Sequence, residues 1–388
     1  MTALTVYWIV APTGAATLSF HFGRQGIGLE ETGETLPSDS LFAALVAQAA
    51  LLDPAAGNGA PPAFARPFVE AVEDGPPLLH SSLFPRLGAL LFLPRPMLRL
   101  PPMDERQRWR IGKGFKKLRY LSPRLFAAVV AGRPFDGEPI VMQGGKVWLD
   151  PAEAGALPAA WQRQPREDET AWRRRLVETP IWTLDAAPQV AVDRVSNASA
   201  YYEVGRVTYP PQAGLALVVR FGAPAARDSF ERLLTLLGES GLGGRRSSGY
   251  GAFHWERGPE LTLDLGPPGG RAVLLSRYLP RAEELEALRS ERAAYQLVDV
   301  GGWFYSPGQP TQRRQRVLMV AEGAVLDVRA APVRGRVENV APDYSKSSRP
   351  HPRFGRGSGV EHPVYRSGLA LMVPIPDPPE DTAHEHDT

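Results

Sequence analysis

A chain of 388 residues with 44 basic and 42 acidic side chains carries a formal charge of only +2, so any nucleic-acid surface must come from local clustering and not from bulk charge. Its 43% hydrophobic content suffices for buried cores in about two to three domains, and 38 glycines with 39 prolines forecast long, ordered loops. The absence of cysteine excludes disulfides and thiolate metal sites. The start MTALTVYWIV lacks a basic signal-peptide region and the longest apolar run, LFAALVAQAALL, is too short for a bilayer, so a cytoplasmic protein without a membrane partner is expected.

In chain order, LTVYWIV is β-branched and aromatic and predicts a first strand, followed by the glycine-rich segment FHFGRQGIGLEETGETLPSDS. A helix is predicted next, capped by Ser38, with Leu41, Phe42, Leu45, Val46, Ala49 and Leu52 on one apolar stripe. Strands are expected at residues 68–72 and 89–93, then about a hundred residues without clear periodicity, read as a long functional loop. Regularity resumes with the strands YYEVGRVTY and GLALVVRFG and a helix over AARDSFERLLTLLGES, where Phe230, Leu233, Leu234 and Leu237 align. The motif GLGGRRSSGYGAF follows, and its end, YGAFHW, reads as a strand. The order β-α-β-β, insertion, α-β fits an elaborated ferredoxin-like unit. A looser copy comes after it: a strand in RAVLLSRYL, a helix over PRAEELEALRSERAAY, a strand pair in QLVDVGGWFY and RRQRVLMVAEGAVL, and VEHPVYRSGLALMVPI closing the sheet. Between them lies the basic loop YSKSSRPHPRFGRGSG, and an acidic, solvent-facing tail ends the chain.

GLGGRRSSGYGAF, residues 241–253, holds five glycines, two arginines and two serines without an acid, a set of donors suited to phosphate. It is not a P-loop: Gly244 and Gly249 have the spacing, but Tyr250-Gly251 stands where Lys-Ser/Thr is needed and a strand follows instead of a helix. Arg246 likewise breaks G-x-G-x-x-G. GYGAF matches the middle of the RNA-recognition pattern K/R-G-F/Y-G/A-F-V, with Ser248 in place of the cation. Two readings stand side by side: a loop holding RNA phosphates, with Tyr250 stacking on a base, or glycines that bend a strand while Tyr250 packs in the core. A second basic and aromatic stretch, RQRWRIGKGFKKLRYLS, gathers Lys113, Lys116, Lys117 and Arg119, three of the chain's five lysines among them. It suits either single-stranded RNA or a solvated helix face. No H-E-x-x-H, no G-x-S-x-G and no isolated carboxylate pair occurs, so catalytic residues, metal ligands and cofactors are all expected to be absent; His21 is the one candidate general acid.

Taken together, HFGRQGIGLEETGETLPSDSLFAAL, LPRPML with KGFKKLRYL, VDRVSNAS, GLGGRRSSGYGAF, GGWFY with RRQRVLMVAEGAVL, and EHPVYRSGLA resemble the RAMP superfamily of CRISPR-associated proteins. Among its branches the chain looks most like the fourth-subunit family of the type III-A (Csm) effector complex, over residues 4–375, and the type III-B counterpart is also similar. The resemblance implies an α+β fold of two ferredoxin-like (RRM-like) domains with long loop insertions: residues 1–258 with an insertion at about 94–200, a degenerate domain at 259–376, and the tail 377–388. It also implies a non-catalytic subunit that holds the 5′ handle of the CRISPR RNA. Such a subunit bridges the large palm-domain subunit and a backbone RAMP subunit, and its long insertion supplies a thumb that meets target RNA indirectly. By the same resemblance Gly241, Gly243, Gly244, Arg245, Arg246, Ser247, Ser248, Gly249, Tyr250 and Gly251 contact the handle. The segment around His21 and Gly23 and the loop with Arg194, Ser196 and Asn197 line the same channel. The chain departs from the family in its Pro/Ala-rich inserts at 55–63 and 151–165. The rival reading is a RAMP endoribonuclease that processes precursor CRISPR RNA, with His21 as its acid; incubation with repeat RNA separates the two.

Overall fold

The computed structural model describes residues 4–23, 28, 31–53, 60–70, 75–101, 114–193, 195–304, 312–343, 360 and 362–377. Lys113, Arg194, the basic loop at 344–359 and the tail from 378 therefore lie outside the described residues.

The fold is mixed α and β, with the strands mostly antiparallel. The first half contains β1 (Thr5–Val10), β2 (Leu18–Phe20), α1 (Ser38–Leu52), α2 (Arg66–Val69), β3 (Leu78–His80), β4 (Phe84–Leu87), β5 (Leu90–Leu91) and β6 (Leu93–Pro94). Next come α3 (Gly114–Lys117), β7 (Tyr120–Leu121), α4 (Pro123–Val130), β8 (Ile140–Met142), β9 (Val147–Leu149) and α5 (Glu169–Glu178). The half ends with β10 (Thr183–Val192), β11 (Ser199–Tyr209), β12 (Ala213–Phe221), α6 (Pro224–Ser240) and β13 (His254–Arg257). Its main sheet runs β13-β1-β12-β4-β5, with β3 also on β12. Because β1 and β12 are buried on both faces, their sequences are continuous apolar runs and not alternating ones. Tyr7 meets Phe230 of α6 edge-on at 5.5 Å, and the α6 stripe Phe230, Leu233, Leu234 and Leu237 is buried as its spacing predicts.

The stripe of α1 is also buried from Leu41 to Ala49, whereas Leu52 is exposed. Ser38 does not cap this helix. It is the first helical residue, and its hydroxyl accepts the Arg277 N–H at 2.9 Å, tying the helix start to the second half of the chain. The strand expected at 68–72 begins instead as α2, where Pro67 favours the first helical turn and Phe68 packs edge-on against Phe42 at 5.2 Å. The strand expected at 89–93 is split into β5 and β6 as the chain leaves the main sheet for a second one. That second sheet, β6-β7-β9-β8, corrects the reading of the following hundred residues as loop. Its strands of two or three residues are too short to show a period, yet they bury Trp148 and, with α5, Trp172.

The second half contains β14 (Arg271–Leu274), α7 (Glu286–Arg289), β15 (Leu297–Val300), β16 (Trp303–Phe304), β17 (Gln312–Arg313), β18 (Val317–Val320), β19 (Val325–Asp327), β20 (Val337–Asn339), β21 (Tyr365–Ser367) and β22 (Met372–Ile375). β14 is central, between β19 and β22, and β15 pairs with β18. The helix expected over residues 280–295 shrinks to a 3₁₀ turn, Ala282–Glu284, and the four-residue α7. Glu284 is the reason at one end: its buried carboxylate accepts from the Tyr278 hydroxyl at 2.8 Å and from the N–H groups of Arg281, Arg334 and Gly335. At the other end, a bridge from Ala294 to Val325 draws the chain into extended structure.

Candidate nucleic-acid interface

The loop GLGGRRSSGYGAF leaves α6 through Gly241, whose φ of +86° reverses the chain, and its neck is closed by the Leu242 N–H bonding the Gly251 carbonyl at 2.9 Å. It is pinned to the middle of β2 and to the residue that follows it. The Gly251 N–H donates to the Ser19 carbonyl and the Gly244 N–H to the His21 carbonyl, each at 2.9 Å. Between these pins, Arg245 (φ 58°) and Gly249 (φ 85°) bound a 3₁₀ turn, Arg246–Ser248. Arg246, Ser247, Ser248 and Gly249 face solvent together. The loop thus has a rigid base and a projecting tip of one guanidinium, two hydroxyls and a glycine backbone.

His21 lies beneath that base, 5% exposed, and its Nδ1–H donates to the Gly205 carbonyl of β11 at 2.7 Å. A Cβ on Gly243 would come within 2.7 Å of the His21 carbonyl, and one on Gly244 within 2.7 Å of the imidazole ring. These two glycines therefore serve close packing on His21. Gly23 also approaches the ring, where a Cβ would come within 3.3 Å of Nε2. Arg245 turns back on the β10–β11 hairpin: its guanidinium lies 5.0 Å from the Tyr202 ring centroid and donates to the Tyr202 hydroxyl at 3.3 Å. Tyr250 is corrected. Its ring is 9% exposed, inside the base of the loop, so it is not presented to stack on a base.

The hairpin β10–β11 pairs ten residues from Thr183↔Thr208 to Val192↔Ser199, and its root joins β2 through Val207↔Phe20. Ser196 and Asn197 occupy its exposed tip, where the Ser196 N–H donates to Asp193 Oδ1 at 3.1 Å and Asn197 takes a φ of 54°. Around the distal half, Val190, Val192, Val195 and Tyr201 are all exposed.

Lys116 and Lys117 are exposed on α3. Arg119 is committed elsewhere: with Lys146 it holds the buried Glu34 carboxylate, at 2.8 Å each. Arg119 and Gly23 nevertheless line one cleft of about 1220 Å³ between the two halves of the chain. The structure therefore joins the glycine loop, His21, Gly23 and the root of the hairpin into one surface, with Arg119 across a cleft from it. Tyr202, Gly205 and Glu34 went unmarked in the sequence. The pair Tyr201-Tyr202 in a strand was the available signal, since neighbours in a strand face opposite sides, one to solvent and one to Arg245.

Residues 268–375 match the CRISPR Csm4 C-terminal domain family. A curated relative, the Csm4 protein of Thermococcus onnurineus (strain NA1), is 24% identical over 63% of this chain and 69% of its own length. Among solved structures, a chain of the Csm3–Csm4 subcomplex of a type III-A CRISPR–Cas interference complex superposes with a TM-score of 0.60 at 13% identity, covering 96% of this chain and all of that one. A chain of a Csm1–Csm4 cassette in complex with cA4 gives 0.53 at 17% identity, over 97% and 99%. The family match in the second half, the relative over most of the sequence and the fold over nearly all of it agree: the chain is similar to Csm4 proteins, and residues 268–375 carry the match to the Csm4 C-terminal domain.

Proposed function

We propose that the protein is a non-catalytic subunit of a type III-A interference complex that holds the 5′ handle of a CRISPR RNA. In this role it bridges a large palm-domain subunit and the first backbone RAMP subunit, as the Csm1–Csm4 and Csm3–Csm4 pairings of its structural relatives suggest. The observation that carries the reading is the built glycine loop: a base fixed by three backbone hydrogen bonds, and a tip where Arg246, Ser247 and Ser248 are free to meet phosphate. The main sheet supports a ferredoxin-like first domain at 1–258, because its four principal strands in sequence order lie 4-1-3-2 across the sheet with a helix after the first and third. The three strands β19-β14-β22 support a degenerate second domain at 259–376. His21 reads as a positioning residue: its ring is buried and one nitrogen is bonded to the Gly205 carbonyl.

The test is handle-RNA affinity against salt concentration. Arg246→Ala is expected to flatten the log–log slope by about 0.7, the value for one single-strand phosphate, and adding Arg245→Ala, whose guanidinium rests on Tyr202, should flatten it little further. An unchanged slope in the folded double variant would remove the loop from the RNA site. Metal-independent cutting of repeat RNA by the wild type that His21→Ala abolishes would replace this reading with the endoribonuclease one.

A further inference from the structure

The cleft between the two halves includes Gly23 and Arg119 but is lined mostly by residues to which no role has been given. Its walls carry six cations, Arg95, Arg99, Arg119, Lys146, Arg277 and Arg314, against the carboxylates Glu34, Asp39, Asp299 and Glu322. Every one of those acids has a cation. Glu34 is held by Arg119 and Lys146, Asp39 by Arg366 and Arg277, Glu322 lies 3.6 Å from Arg277, and Asp299 is paired with Arg316 from outside the cleft. Arg95 and Arg99 are left over: among the described residues neither side chain has a hydrogen bond or an ion pair. Arg95 is partly buried, and burial pushes its guanidinium pKa down, while Arg99 is exposed at the cleft. Arg314 spends its terminal nitrogens on the carbonyls of Gly301 and Trp303, and its buried Nε has no partner. A cation held away from water without a counter-charge is costly unless an anion completes the site.

We propose that this cleft is a second RNA subsite, in which Arg95, Arg99 and Arg314 hold backbone phosphates of a single-stranded segment continuous with the one on the glycine loop. The inference rests on the RNA-binding reading of that loop and extends it to residues on the opposite wall. Three observations select the ligand. The volume of about 1220 Å³ exceeds the roughly 300–1,000 Å³ of small-molecule pockets, which favours a polymer segment. The guanidiniums are interspersed with Phe22, Leu98, Val298 and Val300, apolar surface that suits the faces of bases better than an acidic peptide. The path is continuous, because Gly23 lines the cleft while its neighbour His21 supports Gly243 and Gly244 of the loop.

Arg95→Ala with Arg99→Ala is the clean variant, since among the described residues neither side chain makes a bond that the fold would lose. Full-length protein, alone and in its assembled complex, is titrated with single-stranded RNAs of increasing length that contain the handle, and a photoreactive residue replaces Leu98. The expected result is a crosslink from position 98 to RNA, a loss of about tenfold or more in affinity for the longer RNAs, and a slope flattened by about 1.4. The Arg245→Ala, Arg246→Ala variant should retain the gain in affinity on lengthening that the cleft variant loses. If the loop variant weakens binding while the cleft variant binds all lengths normally and position 98 makes no RNA crosslink, the subsite is overturned and the loop reading stands. A crosslink from position 98 to a protein subunit instead would assign the cleft to that partner, and failure of the wild type to bind RNA would overturn both readings.

Discussion

Gly249 and Gly251 have the same sign of φ, +85° and +90°, but opposite surroundings. A Cβ on Gly249 would have no heavy atom within 4 Å, whereas one on Gly251 would lie 2.4 Å from the Leu242 carbonyl oxygen and 2.8 Å from its nitrogen. Gly249→Ala should therefore cost only the left-handed backbone term of about 1–2 kcal/mol. Gly251→Ala adds a backbone clash that breaks the neck of the loop, and should cost about 3 kcal/mol or more. Urea denaturation of the two variants checks the order. Equal losses would mean that the neck is not as tight as its hydrogen bond implies. The comparison also bears on Gly244→Val, a substitution meant to block RNA from the backbone. Its Cβ would meet the His21 ring, so that substitution disturbs the base of the loop itself, and Gly249 is the better position for testing backbone access.

At the scale of elements, the β10–β11 hairpin separates into a root and a blade. The root is buried at Val204, Val207 and Tyr209 and paired to β2. Among the described residues, the blade beyond the pair Gln189↔Tyr202 makes bonds only within the hairpin, such as the Tyr201 hydroxyl to Glu203 at 2.7 Å and the Asp193 turn. Replacing residues 190–201 by Asn-Gly keeps the register and a favoured hairpin turn. We expect stability to change by no more than about 1 kcal/mol, because the described side chains that are removed are exposed. If the blade is the thumb implied by the family resemblance, the same variant should alter guide–target pairing next to the handle, and, because it also removes Arg194, Ser196 and Asn197, it should weaken handle affinity. A large loss of stability would show that the exposed valines are covered by another part of the protein.

At the scale of the whole molecule, the two halves share a core and a buried ion network. Asp39, fully buried at the start of α1, receives Arg366 of β21 at 3.1 Å, and Arg277 lies 3.8 Å away. Apolar residues from both halves, Leu45 and Val273 among them, belong to one cluster. Asp39→Ala should destabilise the protein by about 3–5 kcal/mol, because it leaves the Arg366 guanidinium buried without a counter-charge. The wild type should unfold in one transition, the same by circular dichroism and by tryptophan fluorescence. Two separated transitions, or an Asp39→Ala variant of wild-type stability, would mean that the halves fold independently.

The amino-acid sequence by itself determined the long elements, because periodicity needs length: α1, α6, β1 and β12 are where their apolar patterns place them. It also marked the glycine loop, since a run of glycines and donors without acids is a local property. What only the tertiary structure decided are the features made by residues far apart in the chain. Ser38 bonds Arg277 instead of capping its helix, Glu284 stops a helix by collecting donors from residues 278 to 335, and short strands between 93 and 149 become a sheet only through each other. Tyr250 is the sharpest case. Its motif fits a base-stacking tyrosine, yet the closure of the neck between Leu242 and Gly251 and the pinning of Gly251 to β2 draw the ring inward, and burial, which no local pattern encodes, decided the outcome.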